Sequence, residues 1–450
     1  MAHTIENEPV RASSFDAHHP PERENINDCV HCGFCLPACP TYVLWGEEMD
    51  SPRGRIYMIK KAAEGQAPLD TQFQKHMDNC LGCMSCMTAC PSGVEYNKLI
   101  EPTRAQIERN IPRGLGDRLF RKMIFATFPH PKRLRLLAIP MRVYQKSGLR
   151  TLARGSGILK LFPKRLRAME ALLPEVPPRN AGRVAEVTSA AKTARRRVGM
   201  LSGCVQQVFF PHVNAATARV LAAEGCEVIT PPQQPCCGAL MVHSGLENEA
   251  AELAKKMIAT FEAAQVDTIV INSAGCGSTM KEYGYLLRDD TEWAERAAKF
   301  SAKCRDVAEI LCELEPAAKR NSLKMRVAYH DACHLQHAQG VRTQPRKLLA
   351  GIPELEVAEI PESSLCCGSA GVYNLLEPDA ANELGARKVE NLLTTKAQAV
   401  LSANPGCLLQ LMNGLRRRGM REMPAFHLVE LLDASIRGVS AEMLLKSRNS

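Results

Sequence analysis

Val198-Gly199-Met200-Leu201-Ser202-Gly203-Cys204 and Met325-Arg326-Val327-Ala328-Tyr329-His330-Asp331-Ala332-Cys333 decide the fold. Each is a short apolar run that reaches a cysteine a few residues later. Cys236-Cys237-Gly238 follows Cys204 after 32 residues, and Cys276 follows Cys237 after 39. In the second stretch the intervals are 33, from Cys333 to Cys366-Cys367-Gly368, and 40, from Cys367 to Cys407. The matched spacing marks two copies of one unit. Strands are expected over Val198–Ser202, Glu227–Thr230 and Thr268–Asn272, and again over Met325–Tyr329, Leu355–Ile360 and Ala399–Ala403. Helical stretches near Ala215–Glu224, Leu246–Ala264, Arg342–Ala350 and Asp379–Leu393 separate them. Such alternation predicts parallel sheets, whose ligands collect at the carboxyl ends of the strands. Cys204, Cys236, Cys237 and Cys276 are therefore expected to converge at one rim, and Cys333, Cys366, Cys367 and Cys407 at another. Gly238 and Gly368 would let the backbone turn closely beside a metal.

Adjacent cysteines point in different directions in extended chain, which an apolar core does not call for. One or two additional iron-sulfur clusters are expected in the copies, with plain buried thiols as the alternative. The surroundings differ. His330, Asp331 and His334 flank Cys333, where the first copy has Met200, Leu201 and Val205; His243 stands where the second copy has Tyr373. Such polar groups can tune a centre or relay a proton. Cys226, Cys304 and Cys312 fit no motif and read as ordinary buried thiols.

Nearer the start, Cys29-x2-Cys32-x2-Cys35-x3-Cys39-Pro40 is followed by Cys80-x2-Cys83-x2-Cys86-x3-Cys90-Pro91. This is the run that binds a pair of 4Fe-4S clusters. Three close thiolates cap one cubane, and the fourth cysteine, too far along to close it, reaches across to the other. Cys29, Cys32, Cys35 and Cys90 are assigned to one cluster, and Cys80, Cys83, Cys86 and Cys39 to the second. Zinc would call for separated Cys-x2-Cys pairs or a Cys/His mixture. Pro52–Gly65 reads as a helix between the motifs, which suggests a helical ferredoxin. The fold class is α+β multidomain. A helical ferredoxin domain with two 4Fe-4S clusters spans residues 1–110 and a basic amphipathic connector 111–195. Two repeated α/β Cys-Cys-Gly modules occupy 196–320 and 321–440.

Composition agrees with several packed cores. The 450 residues are 45% hydrophobic and 23% charged, which excludes a disordered chain. Met1 to Pro20 is polar and lacks the apolar run of a secretory signal. The apolar stretch from Ala397 to Leu415 is broken by Asn404-Pro405-Gly406 and is not read as a membrane span. A cytoplasmic protein is expected, and nineteen cysteines in a reducing compartment point to metal rather than disulfides. The net charge of +9 is concentrated: Arg113 to Ala168 holds fifteen Lys or Arg against one acid, Asp117. Leu119, Phe120, Ile124, Phe125, Leu134, Leu136, Leu137, Leu159, Leu161 and Phe162 interleave with these cations. Such a segment suits an anionic lipid surface on the inner face of the cell membrane, with an acidic partner subunit or a solvated linker as alternatives.

His31-Cys32-Gly33-Phe34-Cys35, Ser51-Pro52-Arg53-Gly54-Arg55-Ile56-Tyr57, Leu335-Gln336-His337-Ala338-Gln339 and Leu365-Cys366-Cys367-Gly368-Ser369-Ala370-Gly371 carry a family likeness. With the paired motifs and the two copies, the chain resembles the glycolate oxidase iron-sulfur subunit over nearly its whole length. The wider Cys-Cys-Gly group includes subunits of lactate utilisation, anaerobic glycerol-3-phosphate dehydrogenase and heterodisulfide reductase. The resemblance implies an electron-transfer subunit of a glycolate dehydrogenase. FAD-containing partner subunits would oxidise glycolate to glyoxylate, and electrons would pass towards a membrane quinone. It also implies that the eight N-terminal cysteines are cluster ligands. Heterodisulfide reductase relatives end each motif in Cys-x2-Cys; here Cys276-Gly277-Ser278-Thr279 and Cys407-Leu408-Leu409-Gln410 each lack one thiol.

No catalytic residue is assigned. No Gly-x-Gly-x-x-Gly follows a predicted strand, and no Gly-x-Ser-x-Gly is present. The substrate site is expected on partner subunits. One rival is the same relay serving lactate or glycerol-3-phosphate. A rival of another class is a non-catalytic metal protein contacting nucleic acid through the basic segment, which has no helix-turn-helix or zinc-finger spacing to support it. A third, disulfide reduction by the modules, is disfavoured by the absent thiols.

Overall fold

In the computed structural model, residues 12–178, 181–420 and 422–448 are described. The chain divides into two compact units, Met1–Asp117 with His243–Leu246, and Arg118–Val242 with Glu247–Ser450. The described part of the first unit is built on helices, chiefly Pro52–Ala63, Thr71–Asn79 and Asn97–Asn110. Local chemistry starts each of the first two. Ser51 Oγ accepts the Gly54 N–H at 3.0 Å and Pro52 occupies the first turn. Asp70 accepts from Gln72 and Phe73 N–H at 3.0 and 2.8 Å. The three helices pack on one another and bury Ile56, Ile59, Phe73, Met77, Leu99 and Ile107.

Among the described residues the second unit has nine strands: β1 Val187–Thr188, β2 Arg196–Met200, β3 Cys226–Ile229, β4 Thr268–Ile271, β5 Cys304–Asp306, β6 Met325–His330, β7 Leu355–Glu359, β8 Ala399–Ser402 and β9 Ala425–Phe426. They form two sheets, ordered β1-β3-β2-β4-β5 and β7-β6-β8-β9. All neighbours are parallel except β1, which runs antiparallel to β3. The registers repeat: Val198 stands opposite Val228, and Val327 opposite Val357. Strands β4 and β8 are buried on both faces, which is why they read as unbroken rather than alternating runs.

The two sheets share one core. Helix Pro211–Ala223 packs on helix Leu428–Arg437, with Val213 and Val220 in the same cluster as Leu431 and Leu432. Arg219 grips Asp433 through two hydrogen bonds of 2.8 and 2.7 Å. The Ala274 N–H donates to the Ala403 carbonyl at 3.1 Å, joining the chain just beyond β4 to the chain just beyond β8. The basic segment is helical, over Leu115–Thr127, Pro131–Lys146, Leu149–Gly155 and Lys164–Ala171. Leu134 and Ala138 enter the shared core, and Ile124 packs with Val372 and Leu375. A solvated linker does not describe these helices. Among the described residues, no helix is long and apolar enough to cross a membrane.

Candidate metal centres

In the first unit each cysteine triplet lies on a tightly curled loop. His31 and Gly33 have φ of +56° and +87° in one; Gly82 and Met84 have +64° and +60° in the other. Left-handed residues at the same two places in both loops wrap the backbone around its thiols. One cavity is lined by Cys29, Cys32 and Cys35 together with Cys90, with Cys86 and Arg53 on its wall. The charges that push Cys86 up, after burial itself, are those of Cys83, Cys80 and Cys39, and last that of Cys35. Cys90 thus stands beside the first triplet and Cys39 beside the second. The two groups differ in depth. Cys39, Cys80, Cys83 and Cys86 are buried, whereas Cys32 is exposed.

Positive charge is stored beside the deeper group. Arg55, fully buried, donates to the Asp50 carbonyl at 2.7 Å, to Asp50 Oδ1 at 3.0 Å and to the His76 carbonyl at 2.7 Å. Burial opposes ionisation of Cys80, yet Arg55 and Arg104, together with hydrogen bonds to the Gly82 amide and Tyr96, outweigh it and hold that thiol below its ordinary value. The Gly82 N–H also points at Cys80 Sγ, 3.3 Å away. Four thiols in each group, cations at hand and amide hydrogen directed at sulfur fit an anionic thiolate-bound cluster.

In the second unit the cysteines of each copy form a chain of contacts at the carboxyl ends of the strands. Cys204 and Cys236 Sγ are 3.5 Å apart; Cys237 hydrogen-bonds to both Cys236 and Cys276. In the other copy, Cys333 and Cys366 Sγ are 3.9 Å apart, and Cys367 contacts Cys366 and Cys407. Hydrogen bonds from Cys204 and Cys237 hold Cys236 well below its ordinary pKa, and the same contacts push Cys204 and Cys237 up. Such a quartet shares one negative charge easily; a bound cation is what would let the rest ionise. Among the described residues, none of the cysteines forms a disulfide.

Cys276 and Cys407 lie at the starts of helices Ala274–Lys281 and Pro405–Arg417. Asn404 joins the two sites: its Nδ2 donates to Cys407 Sγ at 3.4 Å, and its Oδ1 accepts the Gly275 N–H at 3.4 Å. The glycines have φ of +79° at Gly238 and +86° at Gly368, and a Cβ on Gly368 would meet the Ala381 carbonyl at 2.5 Å. Gly368 thus makes room for the following helix.

The polar neighbours separate. Asp331 is held by Arg346 at 2.9 and 2.7 Å, and His243 Nδ1 lies 3.0 Å from Glu101 in the first unit, so neither addresses its own copy's thiols. His330 does, with a ring nitrogen, Cys367 Sγ and Cys407 Sγ all within 4.8 Å of one another. Sequence reasoning missed Lys388, which is buried within reach of the charges of Cys367 and Cys366. Only its place on a buried helix face signals it. Cys226 and Cys304 are fully buried on strands β3 and β5, and Cys312 donates to the Gln344 carbonyl.

Paired curled thiol loops and a duplicated cysteine-rich sheet unit define an iron-sulfur protein. Residues 25–94 match the description of a 4Fe-4S dicluster domain, and residues 198–281 and 327–412 each match a cysteine-rich domain. Residues 116–173 match the linker region of the glycolate oxidase iron-sulfur subunit. The "Probable glycolate oxidase iron-sulfur subunit" of Bacillus subtilis is 41% identical over 91% of this chain and 94% of its own length. The "Glycolate oxidase iron-sulfur subunit" of Escherichia coli is 36% identical over 86% of this chain and 89% of its own. The "Lactate utilization protein A" of an Exiguobacterium species is 30% identical over 53% of this chain and 98% of its own. The chain belongs to the family of glycolate oxidase iron-sulfur subunits.

Proposed function

We propose that this chain is the electron relay of a glycolate oxidase complex. It receives electrons from FAD-containing subunits that oxidise glycolate to glyoxylate and delivers them towards a membrane quinone. The observation that carries the reading is the crossing of cysteines between the two N-terminal loops. Cys90 lines the cavity of Cys29, Cys32 and Cys35, and Cys39 lies among the charges acting on Cys86 with Cys80 and Cys83. Cys29, Cys32, Cys35 and Cys90 are the ligands of one 4Fe-4S cluster, and Cys80, Cys83, Cys86 and Cys39 those of the other. Each cluster, when bound, accepts and gives up one electron at a time. The protein's part is to hold the thiolates, offset their charge with Arg55 and Arg104, and keep water from the deeper group.

On this reading residues 1–110 are a helical dicluster ferredoxin, and 111–195 a basic connector. Residues 196–320 and 321–440 are α/β modules whose thiol quartets, Cys204, Cys236, Cys237, Cys276 and Cys333, Cys366, Cys367, Cys407, hold further clusters. The exposed Cys32 loop is the face at which a partner exchanges electrons with the first cluster. The protein works in the cytoplasm, against the inner face of the membrane.

The test is anaerobic isolation with the flavoprotein partners, an iron count, and electron paramagnetic resonance after adding glycolate or lactate. Glycolate should reduce the clusters of the wild type. Cys35→Ser should remove one signal and about four irons, the content of one cubane, and stop transfer to a quinone. Reduction by lactate alone would make lactate the substrate. Full iron and full transfer in Cys35→Ser would overturn the ligand assignment.

A further inference from the structure

His330 is buried in module two with a relative exposure of 1%, and neither ring nitrogen has a hydrogen-bond partner. An imidazole in this position has lost water and gained nothing in return, a cost that native structures rarely leave unexplained. It is aimed at sulfur: a ring nitrogen, Cys367 Sγ and Cys407 Sγ lie within 4.8 Å of one another. Cys333 and Cys366 complete the group, 3.9 Å apart. A neutral imidazole among thiols is a donor set for a metal rather than a packing arrangement.

Module one supplies an internal comparison. Leu201 stands three residues before Cys204, as His330 stands three before Cys333. Ala250 underlies Gly238 and Ala381 underlies Gly368. Seven residues beyond each are Met257 and Lys388, both buried. Lys388 lies within reach of the charges of Cys367 and Cys366 and donates to the Glu362 carbonyl. The two quartets therefore have the same four thiols in opposite surroundings. Module one adds two apolar side chains, and module two adds an imidazole and an ammonium.

We infer that His330 is a nitrogen ligand of the metal centre in module two, giving it a mixed imidazole–thiolate donor set that module one lacks. The inference rests on the reading that module two is loaded. An iron held by the His330 imidazole in place of one of the four thiolates receives less negative charge, which raises its potential, as in Rieske centres. Lys388 acts in the same direction. The centre of module two then has a higher potential than its thiols alone would give it.

The experiment uses the full chain, isolated anaerobically, with 15N-labelled histidine and pulsed electron paramagnetic resonance in the oxidised and reduced states. Metal analysis and a redox titration accompany it. Cys407→Ser identifies the module-two signal as the one it removes. That signal should carry a nitrogen coupling that changes with the isotope. His330→Cys should keep the metal, lose the coupling and titrate at a lower potential. His330→Leu, which installs the residue of module one, should reduce the metal of module two and spare the N-terminal signals. If Cys407→Ser removes no metal, the loading of module two and the inference fall together. If it removes metal but the signal shows no nitrogen coupling, or His330→Leu keeps full metal and an unchanged potential, the role of His330 alone is overturned.

Discussion

Arg55 carries a full charge where water cannot reach it. Its guanidinium spans the Asp50 carboxylate and the Asp50 and His76 carbonyls, and it faces Cys80 and Cys39. Taking the ion out of water is costly, and this set of partners is what offsets the cost. Arg55→Leu should destabilise the first unit by about 3–5 kcal/mol, the range for breaking a buried ion pair. Arg55→Lys should recover little of it, because a lysine cannot fork between several acceptors. Denaturant unfolding followed by cluster absorbance measures both; a loss below about 1 kcal/mol, the scale of exposed pairs, would sink the argument. Residues of this kind were only partly legible. The cysteines announced themselves because metal chemistry fixes their spacing. Arg55 lay in a recognisable stretch with no sign of its role, since a cation's partners come from distant turns. Proximity to Cys333 in the sequence marks His330 and Asp331 alike, yet only His330 turns to the thiols while Asp331 turns to Arg346.

Elements were legible where their period was long enough to repeat. Strands β2, β3, β4, β6, β7 and β8 fall within a few residues of their expected places, because each is an apolar run bounded by loop residues. Strands β1, β5 and β9 have two, three and two residues, too few to show any alternation, and their pairing is set by the neighbouring strand. The basic segment was legible as amphipathic but not as docked. Ile124, Leu134 and Ala138 turn inward, while Leu119 is 70% and Leu136 68% exposed. Leu137, Ile139 and Val143 are also exposed, at 45–57%, among the cations of helix Pro131–Lys146. Outward leucines beside arginines suit a lipid interface, each cation near anionic lipid contributing about 1 kcal/mol. The protein should co-sediment with vesicles containing phosphatidylglycerol, less so at high salt. Leu136→Ser with Leu137→Ser should weaken binding several-fold and leave the iron content intact. Equal binding to neutral vesicles would remove the role of the cations, and no binding to anionic ones would assign this face to a protein partner.

At the scale of the whole molecule, duplication explains why the two modules depend on each other. Each has a parallel sheet and its own thiol quartet, and module one has a core on one face of its sheet, with Ile258, Phe261, Ile269 and Phe300, but a second set of its apolar side chains is buried only together with those of module two. Val198, Val213 and Val220 of module one lie in the same cluster as Val327, Leu401, Leu431 and Leu432 of module two. Apolar side chains of this size are worth about 1.5–3 kcal/mol each when buried. Exposing four or five of them would cost about as much as the 5–15 kcal/mol that holds a domain folded. A fragment ending at the boundary near residue 320 should therefore fail to give a cooperative unfolding transition, although its sheet and cysteines are complete. In the full chain the two modules should melt together. Calorimetry of the intact protein beside Leu431→Ala decides it: the variant should lower one transition common to both modules. Two separate transitions, only one of which moves, would mean that the repeats are independent. The same seam carries Asn404, which touches Cys407 on one side and the Gly275 amide on the other. A relay through two centres needs their separation fixed, and a shared core fixes it without a hinge.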